Sequence, residues 1–436
     1  MSDLINSEYI SDCMKERYEV LSSRQLRFKD KLRTVTVEHG YLLPVKKTDN
    51  KYLMGRGGVL NSEGRFVPAS GIYSRGNRIK TEYDADIKPE VYMGAGYKTD
   101  LNTVTENLKG ESVYLGFVHN HWGHFLIDFS TRLWYVSEAD KSAKLVFLVK
   151  QGQDFSFIPN IKRFLQLYGI DERRIVFVNK VTSFEKLIIP EPSYRTNDYY
   201  SAQYLDMFDK IAEAVRFHSD VKKVYFSRGV FKKATATEFG GELIDEAFEA
   251  AGFKKIYPEQ CTLDEQIGYI RGAEVVAGVS GTVTHNMLFA KNGQKLDIIN
   301  KTYIMNTMQS DINIIKQLDV TYADAYSAYY PVSMGIGPFL FEKTEELKKY
   351  FINGYGLNIE SLPREKAGSC KAFRQYMKAY EKLAVNNYLD PHYEKDPDSA
   401  HFYPYELMGE AVKLHYIELH GKLRRRNFLR KLLKRG

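Results

Sequence analysis

Residues 223–299 read KVYFSRGVFKKATATEFGGELIDEAFEAAGFKKIYPEQCTLDEQIGYIRGAEVVAGVSGTVTHNMLFAKNGQKLDII. Short apolar runs (KVYF, EVVAGV, KLDII) alternate here with amphipathic segments such as Gly241–Ala251 and Thr262–Ile270. This alternation predicts strand–helix–strand units, whose parallel strands need helices on both faces of the sheet. Thr262 and Glu265 fit a capping box at the start of the second helix.

The same rhythm extends towards the amino terminus. Strand-like runs are Ser112–Phe117, Lys144–Val149, Arg174–Val178 and Lys186–Ile189; helices are predicted over about Trp122–Glu138, Ile158–Tyr168 (ending at Gly169) and Ala202–His218. Residues 190–200 (PEPSYRTNDYY) interrupt the pattern, so a boundary is predicted near residues 195–220. We expect an α/β fold with two Rossmann-like lobes and a cleft between them.

The predicted organisation has four parts. They are an amino-terminal Rossmann-like lobe with an irregular start of about 110 residues (1–200), a second Rossmann-like lobe (201–330), a helical segment packing back on the lobes (331–410) and a basic amphipathic tail (411–436).

The composition is that of a globular chain. Of 436 residues, 44% are hydrophobic and 27% charged, which excludes a disordered protein. The three cysteines, Cys13, Cys261 and Cys370, are too few and too scattered for a disulfide framework or a zinc pattern, which favours a reducing, cytosolic setting. The first twenty residues have no signal-peptide pattern, and no apolar run reaches 18 residues.

The net charge of +7 comes from the carboxyl-terminal end of the chain. Eight basic residues and no acid lie between Lys422 and Arg435, so the rest of the chain is close to neutral. A nucleic-acid-binding body would carry its basic face within the fold, so that function is not expected. Residues 422–436 instead predict a helix on an anionic membrane surface, although a solvated, frayed end is the alternative.

A first candidate site is the segment NHWGHFLIDF, followed by Arg132. On a regular helix His124, Asp128 and Arg132 share one face, with Asn120 and His121 just before it. An imidazole and a carboxylate one turn apart can act as a base and its orienting partner, but a salt-bridged helix face would look the same.

A second candidate site joins two strand ends. Ser280, Gly281, Thr282, Thr284, His285 and Asn286 follow EVVAGV in a small-residue turn, the setting in which a helix start binds an anion. Arg228 and Lys232 follow KVYFS, and Glu259 follows the next strand. An ordinary capped turn and a solvated basic loop are the alternatives. No GxGxxG is present, so the dinucleotide fingerprint is absent.

No metal site or cofactor is expected. The pair Asp84 and Asp86 does not follow a buried strand, Asp396 and Asp398 lie in a polar loop, and there is no HExxH.

Taken together, the blocks NHWGHFLIDFSTRLW, LIIPEPSY, YFSRG and GELIDEAFEAAGFKKIYPEQCTLDEQIGYIRGAEVVAGVSGTVTHNMLF resemble glycosyltransferase family 61, over about residues 110–300. The resemblance implies a GT-B fold and an inverting, metal-independent transfer from a nucleotide sugar. In the family a His-x-x-x-Asp helix, an Arg after the first strand of the second lobe and a Pro-Glu block match His124 and Asp128, Arg228, and Pro258 and Glu259. The family's HGAGLTN loop is here SGTVTHN, which agrees at Gly281 and Asn286 but has Ser280 in place of the family's His and Thr282 in place of its Ala. The resemblance also implies that residues 1–200 form the acceptor-side lobe and residues 201–330 the nucleotide-sugar-binding lobe.

The sequence therefore predicts a bacterial, cytoplasmic, peripheral membrane glycosyltransferase that extends a capsular or related polysaccharide or glycolipid. Asp128, oriented by His124, is the candidate base, and Arg228 with the Ser280 loop would bind the diphosphate. Two alternatives stay open: a catalytically silent glycan- or nucleotide-binding component of a capsule complex, and another nucleotide-sugar enzyme such as an epimerase. The donor, the acceptor, the linkage and the oligomeric state do not follow from the sequence.

Overall fold

The computed structural model describes residues 5–12, 14–15, 18–19, 25–46, 55–73, 91–93, 96–235, 237–302, 306–326, 337–362, 371–376 and 378–379. The two Asp-x-Asp pairs, the tail 411–436 and most of the segment 331–410 lie outside these ranges. The described chain is an α/β structure built on two six-stranded sheets.

The strands are β1 (Ile5–Tyr9), β2 (Arg27–Phe28), β3 (Thr34–Lys46), β4 (Arg56–Leu60), β5 (Ile72–Tyr73), β6 (Val91–Met93), β7 (Glu106–Phe117), β8 (Lys144–Leu148), β9 (Ile175–Val178), β10 (Thr182–Pro190), β11 (Tyr194–Arg195), β12 (Tyr199–Tyr200), β13 (Lys223–Phe226), β14 (Glu238–Phe239), β15 (Lys254–Ile256), β16 (Val275–Val279), β17 (Lys295–Asn300), β18 (Asp319–Asp324) and β19 (Phe339–Leu340). The α-helices are α1 (Trp122–His124), α2 (Pro159–Tyr168), α3 (Ala202–Ala214), α4 (Lys232–Thr235), α5 (Gly241–Ala250), α6 (Leu263–Gly272), α7 (Thr307–Ile315) and α8 (Glu345–Tyr355).

The first sheet has the strand order β4-β3-β10-β7-β8-β9. Strands β7 to β10 are parallel, as the alternating pattern predicts, but β3 is antiparallel to both of its neighbours. The parallel arrangement predicted for residues 112–189 is confirmed, and part of the irregular amino-terminal region adds two further strands, β3 and β4, which the sequence analysis did not place in this sheet. The order of the parallel strands reverses between β7 and β10.

The second sheet is wholly parallel, with the order β1-β18-β17-β16-β13-β15. Its strand order reverses between β13 and β16. In open α/β sheets a ligand crevice forms at the carboxyl ends of the strands beside such a reversal. Arg228 follows β13 and Ser280 follows β16, so these residues lie at the predicted crevice.

The amino-terminal strand does not join the first sheet. Residues 5–9 pair with β18 at the edge of the second sheet. Ser11 then donates hydrogen bonds from its N–H and its hydroxyl to Asp324 Oδ2, both at 2.9 Å. The division at residue 200 remains a prediction, but this strand belongs to the other sheet.

Helix boundaries follow local sequence signals closely. Helix α6 carries the predicted capping box, in which Thr262 and Glu265 bond each other's backbone N–H groups. Helix α2 ends at Gly169, which adopts the left-handed conformation that its sequence position predicts. Helix α8 packs on β1 and β18, and the Tyr350 hydroxyl donates to the buried Asp297 at 2.7 Å. Part of the segment 331–410 thus packs on the second sheet.

One aromatic cluster joins the two sheets. Phe289, which follows β16, has its ring centroid 6.1 Å from that of Phe164 in α2 and 5.2 Å from that of Phe208 in α3. All three side chains are fully buried. The core is therefore continuous from one sheet to the other beneath the strand ends that carry the candidate residues.

Candidate functional site

The segment after β7 is not the regular helix that its sequence predicts over Trp122–Glu138. Helix α1 is one turn long, residues 125–129 form a π-helical turn, and residues 133–137 form a 3-10 helix. The Ser130 N–H donates to Phe125 O at 2.9 Å, five residues back. Phe125, Leu126, Ile127 and Phe129 are all buried, and no regular helix can bury so many successive side chains on one face. The π turn buries all four of these side chains and leaves Asp128 partly accessible.

His124 and Asp128 are paired as the four-residue spacing predicts. His124 Nδ1 lies 2.7 Å from Asp128 Oδ2, and both side chains are largely but not fully buried. π turns inside helices are frequent at functional sites, since they re-aim single side chains.

Asp128 also lines a cavity of about 260 Å3 at the strand reversal of the first sheet. The cavity lies beside the carboxyl ends of β7 and β10, and the hairpin of β11 and β12 supplies one wall. Its polar lining residues are Arg33, Asp128, Thr131, Arg132, Glu191, Tyr194, Arg195, Thr196 and Tyr199. The Asp128 carboxylate therefore contacts His124 and lines the cavity as well.

Arg132 lines the same cavity, although its side chain is almost completely buried. Its guanidinium donates to Pro190 O and, at 2.8 Å and 3.2 Å, to Ala69 O and Gly71 O. It also lies over the Tyr114 ring, 5.5 Å from the ring centroid. The predicted common face with His124 does not form, because the π turn shifts the register before residue 132.

Three histidines gather at the end of β7. The ring centroids of His121 and His124 are 4.7 Å apart, and His119 lies 5.6 Å from His124 and 4.7 Å from Phe129. Burial, together with the charges of its two neighbours, lowers the pKa of His119 to about 4. Asn120 holds a nearby loop, because its side chain donates to Ser156 O and accepts from Ile158 N–H. No group of metal-binding geometry occurs among the residues that the structure describes.

The Ser280 loop opens with a glycine that no other residue replaces easily. Gly281 has φ +147° and ψ −165°, a conformation essentially confined to glycine. Residues 282–289 then form a 3-10 helix rather than the predicted α-helix. Some polar groups of the loop are already engaged: Ser280 N–H donates to Ile299 O, and Thr284 Oγ1 donates to Gly281 O.

Arg228 points across this loop. A β-carbon built on Gly281 would lie 3.9 Å from Arg228 Nη1 and 4.0 Å from Lys301 Nζ. Between the two cations lies Glu238, bonded to Arg228 Nε at 3.0 Å and to Lys301 Nζ at 2.7 Å. Burial alone would raise the pKa of the Glu238 carboxyl, but Lys301 and then Arg228 outweigh it, so the pKa is lowered.

Lys301 and Glu238 were missed by the sequence analysis. Lys301 directly follows β17, the strand next to β16. A cation at the carboxyl end of a parallel strand is the sequence signal that could have identified it. Glu238 gives no such signal, since it lies in a two-residue strand that only pairs with β19. Two cations around one carboxylate leave this corner of the second sheet positively charged.

The two remaining residues predicted for the second candidate site, Lys232 and Glu259, lie at the protein surface. Lys232 begins the short helix α4 and is exposed. Glu259 is exposed in a 3-10 turn after β15, the strand next to β13. Both flank the crevice at the carboxyl ends of the strands.

The segment that carries His124 and Asp128 meets the Ser280 loop at Gly123. A β-carbon on Gly123 would lie 2.9 Å from Thr282 Cγ2 and 3.2 Å from His285 Nδ1, so a larger residue would displace the Thr282 and His285 side chains. Beside it, Trp122 Nε1 donates to Asn286 Oδ1 at 2.7 Å. Asn286 Nδ2 in turn donates to Gln266 Oε1, which leaves the Asn286 side chain as a link between elements.

His285 is buried at this junction. Asn306 Oδ1 accepts from the N–H groups of Met308 and Gln309, so Asn306 Nδ2 is the donor to His285 Nε2 at 3.0 Å. The ring proton of a neutral His285 is therefore on Nδ1, the atom nearest Gly123, and Nδ1 makes no hydrogen bond to any described residue. Burial, reinforced by the charges of His124 and His121, lowers the pKa of His285 to about 3.

The comparison with protein families identifies this region. Residues 122–296 match the family model described as Glycosyltransferase 61. The match begins at Trp122, includes His124, Asp128, Arg228 and the Ser280 loop, and ends before Lys301. A comparison with curated proteins finds no match.

The buried histidines predict a loss of stability in mild acid. A histidine whose folded pKa is below its ordinary value of 6.5 takes up its proton first in the unfolded chain, so stability is full above pH 6.5 and falls towards the folded pKa. By pH 5, His285 alone lowers the free energy of unfolding by about 2 kcal/mol. Urea unfolding between pH 7.5 and pH 5 measures this loss. The slope should be shallower in His285→Gln and unchanged in the control His218→Gln, at an exposed position; equal slopes in all three proteins would contradict the assignment.

Proposed function

Because residues 122–296 are a glycosyltransferase family 61 domain, the chain is a glycosyltransferase, and we propose that it transfers a sugar from a nucleotide-sugar donor with inversion and without a metal. We further propose a GT-B arrangement, in which the second sheet binds the donor and the first sheet binds the acceptor.

The observation that carries this proposal is the close approach at Gly123. Gly123 is the chain neighbour of His124, and Thr282 is the chain neighbour of Gly281. Their contact therefore places the histidine–aspartate pair beside the loop that Arg228 and Lys301 face. A base on one side and cations on the other are what an in-line displacement between two oxygens needs.

Asp128 is the proposed general base. Its carboxylate lines the cavity, where an acceptor hydroxyl has room to bind, and His124 fixes its orientation from the other side. As the hydroxyl oxygen attacks the anomeric carbon, its proton goes to Asp128 and the bond to the diphosphate oxygen breaks. A single displacement of this kind inverts the anomeric centre.

The second sheet stabilises the departing diphosphate. Arg228 and Lys301 offer positive charge, and the start of the 3-10 helix at Thr282 offers backbone N–H groups. Gly281 lets the diphosphate approach the backbone closely. Lys232 and Glu259 flank this position, where Lys232 would contact a phosphate and Glu259 the ribose hydroxyls.

Exchange of the base for its amide tests the catalytic assignment. Asp128→Asn cannot accept the proton, so the rate of transfer should fall by about 10²- to 10⁴-fold while donor binding is kept. The measurement is mass-spectrometric detection of sugar transfer to a panel of mono- and oligosaccharide glycosides. Asp220→Asn, at an exposed position, is the matched control.

His124→Gln separates the two roles of the pair. The side chain keeps a hydrogen-bonding group but loses the imidazole, so the expected loss is smaller than that of Asp128→Asn. A wild-type rate in Asp128→Asn with an inactive His124→Gln would make His124 the base instead.

Loss of the cation beside Gly281 should weaken donor binding. Charge-assisted hydrogen bonds contribute about 1.5–3 kcal/mol, so Arg228→Gln should raise the dissociation constant of a nucleoside diphosphate roughly 10- to 100-fold. Thermal stabilisation by UDP, GDP, CDP and ADP, with and without EDTA, measures the binding. Arg271→Gln removes an arginine paired with Asp209 away from this corner and serves as the control. Unchanged nucleotide affinity in Arg228→Gln would remove the donor site from the second sheet.

We also propose that the acceptor is a capsular or related polysaccharide or glycolipid at the inner face of a bacterial membrane. No helix in the described ranges has the length and hydropathy of a membrane span. The support is the cluster of eight cations between Lys422 and Arg435, each contributing about 1 kcal/mol near an anionic surface. Deletion of residues 422–436 should abolish co-sedimentation with phosphatidylglycerol vesicles, whereas neutral phosphatidylcholine vesicles should bind neither protein. Equal binding by the deleted chain would contradict the proposal.

A further inference from the structure

The cavity beside Asp128 carries more positive charge than a neutral sugar needs. Three arginines line it, Arg33, Arg132 and Arg195, against two carboxylates, Asp128 and Glu191. Each carboxylate is already engaged: Asp128 by His124, and Glu191 by Lys29 Nζ and by the Arg33 N–H at 3.1 Å. The anionic side of the lining is thus largely satisfied within the protein.

The arginines differ in how they are held. Arg132 is only 3% exposed and its guanidinium is fixed on backbone carbonyls, so its positive charge is a permanent part of the wall. Arg195 shares Asp198 with Arg27, which is the closer partner at 2.6 Å compared with 3.6 Å. The Arg33 guanidinium forms no ion pair within the described part of the chain. The Arg33 backbone, just before β3, is held by two hydrogen bonds to Glu191: the Arg33 carbonyl accepts from the Glu191 N–H, and the Arg33 N–H donates to the Glu191 carboxylate.

We infer that this cavity binds an acceptor sugar that carries an anionic group, either a carboxylate or a phosphate. The inference rests on the proposed function, because it takes the cavity for the acceptor site. Arg33 and Arg195 bind the anionic group, and the fixed positive charge of Arg132 in the same lining favours it. With its anionic group held there, the sugar presents a hydroxyl to Asp128, which also lines the cavity. The same arginines reject cationic sugars, so they set the specificity for the acceptor.

The side chains that line the cavity suit both the anionic group and the neutral parts of such a sugar. Arginine binds carboxylate and phosphate through two parallel N–H donors, which fixes the orientation as well as the affinity. Tyr199 and Thr196 add hydroxyls for neutral parts of the ring, and the apolar side chains of Val35, Ile127 and Ile189 complete the lining. The cavity, of about 260 Å3, has room for the terminal sugar ring of an acceptor.

Binding of simple glycosides to the full-length chain tests the inference without knowledge of the natural acceptor. The probes are methyl β-D-glucuronide and D-galacturonate as carboxylates, glucose 6-phosphate as a phosphate, and methyl β-D-glucoside as the neutral reference. Isothermal titration at low and high salt should show at least one anionic probe binding tenfold more tightly than the glucoside, about 1.4 kcal/mol. Stronger binding of the carboxylates or of the phosphate identifies which anion the site takes.

Three variants show where the binding occurs. Arg33→Gln should remove the tenfold preference and leave the affinity for the glucoside unchanged, whereas Arg33→Lys should keep part of it, since the charge remains. Arg216→Gln removes an exposed arginine after α3 and should behave as the wild type. Circular dichroism confirms that each variant is folded.

The results separate the inference from the function on which it rests. If no anionic probe binds better than the glucoside, or if Arg33→Gln leaves the preference intact, the inference is overturned while Asp128 and Arg228 keep their roles. If UDP and the other nucleotides fail to bind and Asp128→Asn transfers normally, the proposed function itself fails.

Discussion

The approach of Gly123 to Thr282 and His285 is the constraint on which the rest of the site depends. The segment after β7 and the segment after β16 follow strands of different sheets, and in the proposed mechanism the polar groups of the two segments act together. The Gly123 backbone lies close to the Thr282 and His285 side chains because residue 123 has no side chain, and the Trp122–Asn286 hydrogen bond and the Phe164–Phe208–Phe289 cluster hold the two segments there. A larger side chain at this one position would separate the proposed base from the proposed diphosphate site.

Most of the second sheet could be predicted from the sequence, and so could the pairing of His124 with Asp128. Both follow from local rules: apolar runs of strand length, a capping box at Thr262, and a four-residue spacing. The π turn could not be predicted in this way, because it results from the simultaneous burial of Phe125, Leu126, Ile127 and Phe129. Helical periodicity assumes one buried face, and here the surroundings are apolar on nearly every side.

The residues that sequence reasoning missed depend on contacts over long distances in the chain. Glu238 matters only because Arg228 and Lys301 meet on it, and Arg33 only because β3 inserts antiparallel to β10. Weak strand signals in the first 110 residues concealed that insertion. The cavity itself depends on it, since one wall comes from the amino-terminal region and the others from β7, β10 and the hairpin of β11 and β12, which follow much later in the chain.

The pairing of β1 with β18 has a consequence for how the chain folds during its synthesis. Residues 5–9 leave the ribosome early, yet their partner, residues 319–324, follows more than three hundred residues later. Until then the amino-terminal strand has no sheet to join, and the second sheet lacks its outer edge. Contacts of such sequence separation form slowly, and unpaired strand edges attract other chains. The pairing of β1 with β18, with Ser11 bonded to Asp324, is thus a late step of assembly, and helix α8, which follows in the chain, then packs on both strands.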